Sequence, residues 1–145
     1  MIRNVTILGA GESGFGAAML ASKKGYNVFV SDHNCIDDNI KLLFEDNSIE
    51  YEENDHSIDK IKCSDLIIKS PGIPDTSDLI VKIKSLKIPI ISEIEFASNN
   101  SNSFKICITG TNGKTTTTNL IYNILKNAGL SVGIAGNVGD SFSKM

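Results

Sequence analysis

Short apolar runs and amphipathic stretches alternate along the first hundred residues. Val5-Thr6-Ile7-Leu8 is a largely apolar run of the kind used by strands covered on both faces, and it ends in glycines. From Ser13 to Lys24, Phe15, Ala18, Met19 and Ala21 share one helical face, and Gly25 supplies the stop. Val28-Phe29-Val30 predicts a second strand, closed by Ser31-Asp32. A helix is expected over Asp38 to Glu45, where Ile40, Leu43 and Phe44 share a face. Ile49-Glu50-Tyr51 suits a short strand and Leu66-Ile67-Ile68 a firm one, ended by Ser70-Pro71-Gly72. Helical spacing returns from Leu79 to Leu86, followed by a strand over Ile88 to Ile91. Strands separated by helices mean βαβ units and a parallel sheet.

Asn99-Asn100-Ser101-Asn102-Ser103 reads as a linker, and a second unit starts after it. The pattern there is a strand over Lys105 to Thr109, a glycine turn, a helix over Thr115 to Ala128, a stop at Gly129 and a strand over Ser131 to Ala135. The expected organisation is therefore α/β, with a Rossmann-like parallel-sheet domain over residues 1–97 and a linker over 98–103. Residues 104–145, with Gly110-Thr111-Asn112-Gly113-Lys114-Thr115 between strand and helix, would begin a P-loop ATPase domain. Two strands and one helix cannot cover both faces of a sheet, so that unit is expected to be incomplete and the chain to be the first part of a longer protein.

Composition narrows the class. Among 145 residues, 41% are hydrophobic and 21% charged, which is too apolar for a disordered chain. No stretch reaches the roughly 18 apolar residues of a membrane span. Met1 to Asn4 run straight into a strand, so no signal peptide is expected. Cys35, Cys63 and Cys107 lack metal-site spacing and are expected to be reduced, buried thiols in a cytoplasm. A net charge of −3 argues against nucleic acid as the main partner.

Two glycine loops carry the chemistry. Gly9-Ala10-Gly11-Glu12-Ser13-Gly14 fits GxGxxG after a strand and before a helix. Its glycines permit a tight turn, close approach of a ligand and close helix packing, and the helix N-terminus suits a phosphate. Asp32, at the tip of the second strand, stands where dinucleotide-binding folds place an acid for a ribose. Taken alone, this pattern fits an NAD(P)- or flavin-binding oxidoreductase or sensor, or a turn required only for packing. Glu12 must point its charge into solvent, because a carboxylate beside a phosphate is repulsive.

Gly110-Thr111-Asn112-Gly113-Lys114-Thr115-Thr116 is more specific, since it follows an apolar strand and opens an amphipathic helix. Backbone N–H groups would cradle phosphates, Lys114 would neutralise their outer oxygens, and the Thr115 hydroxyl would reach Mg²⁺. Ile108 occupies the position of the first glycine in GxxxxGK[ST]. Each threonine from Thr115 to Thr118 costs about half a kcal/mol against alanine in a helix, which makes sense if the hydroxyls face phosphate and metal. Ser70-Pro71-Gly72-Ile73 and Gly136-Asn137-Val138-Gly139 end strands on the same edges as these loops, so four turns could face a shared cleft. His33 and His56 lack metal-ligand spacing, and His56 reads as a solvated loop residue. Glu93 and Glu95 read as solvated or capping residues.

Thr109-Gly110-Thr111-Asn112-Gly113-Lys114-Thr115-Thr116 resembles the ATP loop of the Mur ligases and folylpolyglutamate synthases, which also lacks the first glycine. The N-terminal GxGxSG loop, Ser70-Pro71-Gly72-Ile73 and Gly136-Asn137-Val138-Gly139 are similar to the Mur ligases that add D-glutamate to UDP-N-acetylmuramoyl-L-alanine. The resemblance implies an ATP- and Mg²⁺-dependent amide ligase acting through an acyl phosphate in peptidoglycan precursor synthesis in a bacterial cytoplasm. It places Glu12, Ser13, Asp32, His33, Gly72 and Asn137 against the UDP-linked substrate. Gly110, Thr111, Asn112, Gly113, Lys114, Thr115 and Thr116 fall against ATP, with Lys114 and Thr115 catalytic and Thr115 at Mg²⁺. No nucleic acid or membrane partner is implied, and the 145-residue chain alone is expected to be inactive as a ligase.

Overall fold

In the computed structural model, which describes residues 2–136 and 141–144, five strands form one parallel sheet in the order β3-β2-β1-β4-β5. The strands are β1 (Asn4–Leu8), β2 (Asn27–Ser31), β3 (Glu50–Glu52), β4 (Leu66–Lys69) and β5 (Ile90–Ser92). Between them run α1 (Glu12–Lys23), α2 (Asp38–Asp46), α3 (Ile58–Ile61) and α4 (Asp78–Ser85). Then follow α5 (Glu93–Asn99), α6 (Lys114–Asn127) and a 3₁₀ turn (Phe142–Lys144). The chain leaves β1 toward β2 and β3, then returns to place β4 on the other side of β1. The crevice beyond the carboxyl ends of β1 and β4 is thus the point where strand order reverses, the place where open α/β sheets bind ligands.

The period-2 alternation of the strands builds two cores. Val5, Ile7, Val28, Val30 and Ile68 point to one face and pack with Ala17, Ala18, Ala21, Phe44 and Phe96. Leu8 and Ile67 point to the other and pack with Ile61, Ile80 and Ile83. The face that α1 buries is made of its smallest residues, Gly14, Gly16, Ala17, Ala18 and Ala21, while Phe15 and Met19 are half-buried at its margin. Small residues let the helix axis lie close to the sheet, which aims its N-terminus at the end of β1.

Two expected strands are not there. Residues 105–109 have no strand hydrogen bonding, and of residues 131–135 only Ala135 has an isolated bridge. A strand draws its hydrogen bonds from neighbours, and the five-stranded sheet pairs with neither segment. The helix between them forms as expected, but none of its residues is buried, with Leu120 60% and Ile124 58% exposed. Phe104 is 93% exposed. Among the described residues the second unit therefore has no core of its own. Residues 137–140 of the last glycine turn, including Asn137, lie outside the described residues.

Other expectations change in detail. Cys35, Cys63 and Cys107 are free but exposed rather than buried, because each sits in a connection instead of a strand or helix core. Ser98 and Asn99, assigned to the linker, close α5. Glu95 stands in the first turn of that helix, where Ser92 Oγ accepts its backbone N–H at 3.1 Å as an N-cap. Glu93 is not solvated. It is buried, and its carboxylate accepts hydrogen bonds from the Ser143 backbone N–H at 2.9 Å and the Ser143 hydroxyl.

Candidate functional site

A cleft of about 400 Å³ opens at the strand-order reversal. Its walls come from three turns that end β1, β2 and β4, joined by His56 beyond β3. Gly9 turns the chain at φ +91°, a left-handed conformation natural only to glycine, and its N–H donates to Ser31 O at 2.8 Å. A Cβ on Gly11 would meet nothing within 4 Å, so its backbone faces open space on the cleft side. No side chain caps α1 at Gly11, so the first N–H groups of that helix are free of a side-chain acceptor. With the partial positive charge of the helix end, they form an anion site.

Asp32 works on the loop itself. Its Oδ2 accepts the Ala10 N–H at 2.6 Å and its Oδ1 the Asn34 N–H at 2.8 Å. The carboxylate therefore ties the glycine turn of β1 to the tip of β2. On the other side, the Ser70-to-Ile73 turn closes with the Ile73 N–H donating to Ser70 O at 3.2 Å. Lys69, half-buried, braces the same turn by donating to Ile73 O at 2.6 Å, and pairs with Asp75 at 3.4 Å. Glu12 points outward as its charge requires, and meets Lys144 at 3.5 Å.

A polar chain lies beneath the β2 side of the cleft. The buried Ser31 hydroxyl lies 2.7 Å from Glu52 Oε1 and 2.6 Å from His56 Nδ1, and Glu52 Oε1 also accepts the Ser57 N–H at 2.7 Å. Burial pushes the Glu52 carboxyl up, but hydrogen bonds from Ser57 and Ser31 outweigh it and hold the group below its ordinary value. Burial and the neighbouring His33 both push the His56 imidazole below its ordinary value. The His33 and His56 rings stack with centroids 6.0 Å apart and planes at 23°. His56 is thus half-buried in the cleft wall, not the solvated loop residue that Asn54-Asp55-His56-Ser57 suggested.

The second loop turns on Gly110 at φ +145° and Gly113 at φ +77°, the latter capping α6. The Lys114 ammonium folds over the loop, donating to Gly110 O and to Thr111 O at 3.5 Å. Thr118 Oγ1 donates to Lys114 O at 2.8 Å, a bond along the helix, so that hydroxyl faces backbone. The Thr115 side chain is exposed on the first turn. Among the described residues, none of this loop lines the first cleft, which the first glycine loop and the Ser70-to-Ile73 turn share; residues 137–140 of the fourth turn lie outside the described residues.

Residues 4–79 match the MurD N-terminal domain family, and residues 108–144 match the Mur ligase middle domain family. The chain belongs to the Mur ligase family. It is 52% identical over 142 residues to a UDP-N-acetylmuramoylalanine--D-glutamate ligase of Bacteroides thetaiotaomicron, covering 98% of this chain and 32% of that protein. A Bacteroides fragilis protein of the same name is 51% identical with the same coverage. Among solved structures, a murein peptide ligase from Psychrobacter arcticus is similar at a TM-score of 0.63 and 28% identity, covering 88% of this chain and 27% of that one. The chain thus spans about a third of the length of the curated relatives it matches.

Of the residues that the Mur ligase resemblance singled out, the cleft gathers Glu12, Ser13, Asp32, His33 and Gly72. Lys114, Thr115 and Gly110 to Gly113 meet in the second loop. Sequence reasoning missed Asn34, Lys69 and the Ser31–Glu52–His56 chain. One signal was within reach: His56 follows the strand paired with β2, so the parallel sheet must bring it to the edge that carries Asp32.

Proposed function

We propose that this chain provides the UDP-binding domain and the ATP loop of a ligase that adds D-glutamate to UDP-N-acetylmuramoyl-L-alanine. The observation that carries this reading is the presence, in one chain, of two separate phosphate-suited helix N-termini. One opens on the β1/β4 crevice and the other follows Gly110 to Gly113. Two phosphate sites suit an enzyme that holds a nucleotide-linked substrate and ATP together, whereas a dehydrogenase has no use for the second. The full-length relatives carry the name of the proposed activity.

In this reading, the backbone at Glu12 and Ser13 holds the diphosphate, Asp32 and His33 take the uracil end, Gly72 adds a further UDP contact, and Asn137 contacts the substrate near the pyrophosphate. Gly110, Thr111, Asn112 and Gly113 present backbone N–H groups to ATP, with Lys114, Thr115 and Thr116 opening the helix behind them. The fit is chemical: both left-handed glycines turn the backbone without a Cβ to obstruct an approaching phosphate. Thr115 offers an exposed hard oxygen, the ligand type that Mg²⁺ prefers. ATP with Mg²⁺ would supply the phosphoryl group that activates the muramoyl-alanine carboxylate toward the D-glutamate amine. Lys114 would stabilise charge on the transferring group and Thr115 would orient it. A cytoplasmic bacterial role belongs to this reading; separately, among the described residues no helix is long and apolar enough to cross a membrane.

Calorimetric titration of the chain with UDP and with NAD tests the nucleotide assignment. UDP should bind more tightly, and tighter NAD binding would return the cleft to an oxidoreductase or sensor. Asp32→Ala should weaken UDP in the same titration by tenfold or more. Its carboxylate holds two backbone N–H groups of the cleft wall, and each charge-assisted bond contributes about 1.5–3 kcal/mol. Unchanged affinity in this variant would remove Asp32 from the site.

A further inference from the structure

We propose that His56 reads the pyrimidine base of the nucleotide, as a neutral imidazole whose Nδ1–H is anchored by Ser31 and Glu52 and whose Nε2 is offered to the base as an acceptor. The inference rests on the UDP reading of the cleft and adds a specificity-determining residue to it.

The proton count along the polar chain fixes the tautomer. Glu52 is ionised and only accepts, taking the Ser57 N–H and the Ser31 hydroxyl on the same oxygen. Ser31 has a single hydroxyl proton, and it goes to that carboxylate. The 2.6 Å contact between Ser31 Oγ and His56 Nδ1 must then be donated by the imidazole. In a neutral ring this leaves Nε2 with a lone pair, on the side turned away from Ser31. No described residue donates to it. The ring lines the cleft and stacks on His33, beside Asp32, so two imidazoles with planes 23° apart form one wall where the ends of β2 and β3 meet the cleft.

The charges around the ring keep it neutral at ordinary pH. His33 faces it from the β2 turn and opposes a second positive charge. Asp32 from the same turn, Glu52 from β3 and Asp55 beside it favour one. Burial, the largest influence, sides with His33, so His56 titrates below its ordinary 6.5. Protonation would put a hydrogen on Nε2 and turn the acceptor into a donor.

An acceptor discriminates between pyrimidines. The uracil N3 carries a hydrogen to donate, whereas the cytosine N3 is itself an acceptor, so opposing lone pairs penalise CDP. Comparing UDP with CDP cancels the diphosphate, which the two ligands share.

The experiment is titration of the full chain with UDP and CDP at about pH 7.5 and about pH 5.5, a window that spans ordinary histidine titration. The wild-type chain should prefer UDP at the higher pH, and the preference should shrink only where the pH is low enough to protonate the His56 ring, followed by NMR in the same samples. His56→Phe keeps a flat ring on His33 without the acceptor, and should lower the UDP-to-CDP ratio at pH 7.5 by at least about fivefold and abolish its pH dependence. A His56→Phe chain that keeps the wild-type ratio would overturn the role of His56 while leaving the UDP reading intact. A wild-type chain that binds UDP and CDP equally at pH 7.5 would do the same, even if the variant failed to fold. A wild-type chain that binds neither nucleotide, or NAD more tightly than both, would instead remove the UDP reading itself.

Discussion

Gly14→Ala should unfold this domain or bring it close to unfolding, although the same change within a helix usually stabilises by about 1 kcal/mol. An ideal Cβ on Gly14 would lie 1.7 Å from Gly9 O, 2.8 Å from Gly9 C and 3.1 Å from Ser70 Oγ. The obstacle is backbone at the end of β1, held by its own bond to Ser31 O, so it cannot swing aside as a flexible side chain would. Helix α1 would have to back away from the sheet, and Ala17, Ala18 and Ala21 would lose their packing on Val5, Ile7 and Val30. Overpacking a core costs about 1–3 kcal/mol when neighbours yield, and more when they do not. A loss above about 3 kcal/mol is expected here, a large share of the roughly 5–15 kcal/mol that holds a small domain together. Gly11→Ala is the control, because its Cβ would meet nothing within 4 Å and its φ of −64° suits any residue. Urea unfolding of both variants decides the matter. If Gly14→Ala proves as stable as Gly11→Ala, the close approach of helix and strand is not what this glycine provides.

The contrast between these two glycines shows what a sequence reveals. The spacing GxGxxG assigned each glycine a task, and the structure gives Gly14 the packing task and Gly11 the open backbone. Strands β1, β2 and β4 were legible because dense Val, Ile and Leu runs bounded by turn residues leave one interpretation. The four-residue α3 was not, since it completes only about one turn and cannot display a helical repeat. The strands expected at 105–109 and 131–135 have the right composition, but pairing is a property of neighbours rather than of the segment. Glu93 looked like a solvated acid because its partner Ser143 lies fifty residues away. His56 was misjudged for a related reason. Its meaning depends on Ser31 and Glu52, which parallel pairing of β2 with β3 brings together. The cleft was therefore legible in the loops that carry glycine and proline, and illegible in the polar chain behind them.

Lys114→Ala, made in a full-length ligase carrying these residues, should lower kcat by about a hundredfold to a thousandfold while leaving UDP-substrate affinity nearly intact. The residue opens α6 directly after the left-handed Gly113, and its ammonium lies over the carbonyls of Gly110 and Thr111. That places a point charge, on a four-carbon stem, at the mouth of the loop that would enclose the outer phosphates of ATP. Negative charge on the oxygens around the transferring phosphoryl group shifts during the reaction, so a cation held there stabilises the transition state more than the ground state. Loss of one such electrostatic partner typically costs about 2.7–4 kcal/mol. Among the described residues, the cleft proposed for the UDP-linked substrate is lined by other turns and holds none of this loop, which is why binding there should not follow kcat downward. Lys114→Arg should not restore the rate, because the planar guanidinium is larger than the ammonium and cannot rotate its donors over the same carbonyl-lined turn. Steady-state kinetics with a parallel titration of the UDP-linked substrate separates the two effects. Near-normal turnover in Lys114→Ala would mean that Gly110 to Thr115 form only a turn, whereas a parallel loss of kcat and substrate affinity would mean that the two sites are coupled through a contact that the cleft geometry does not contain.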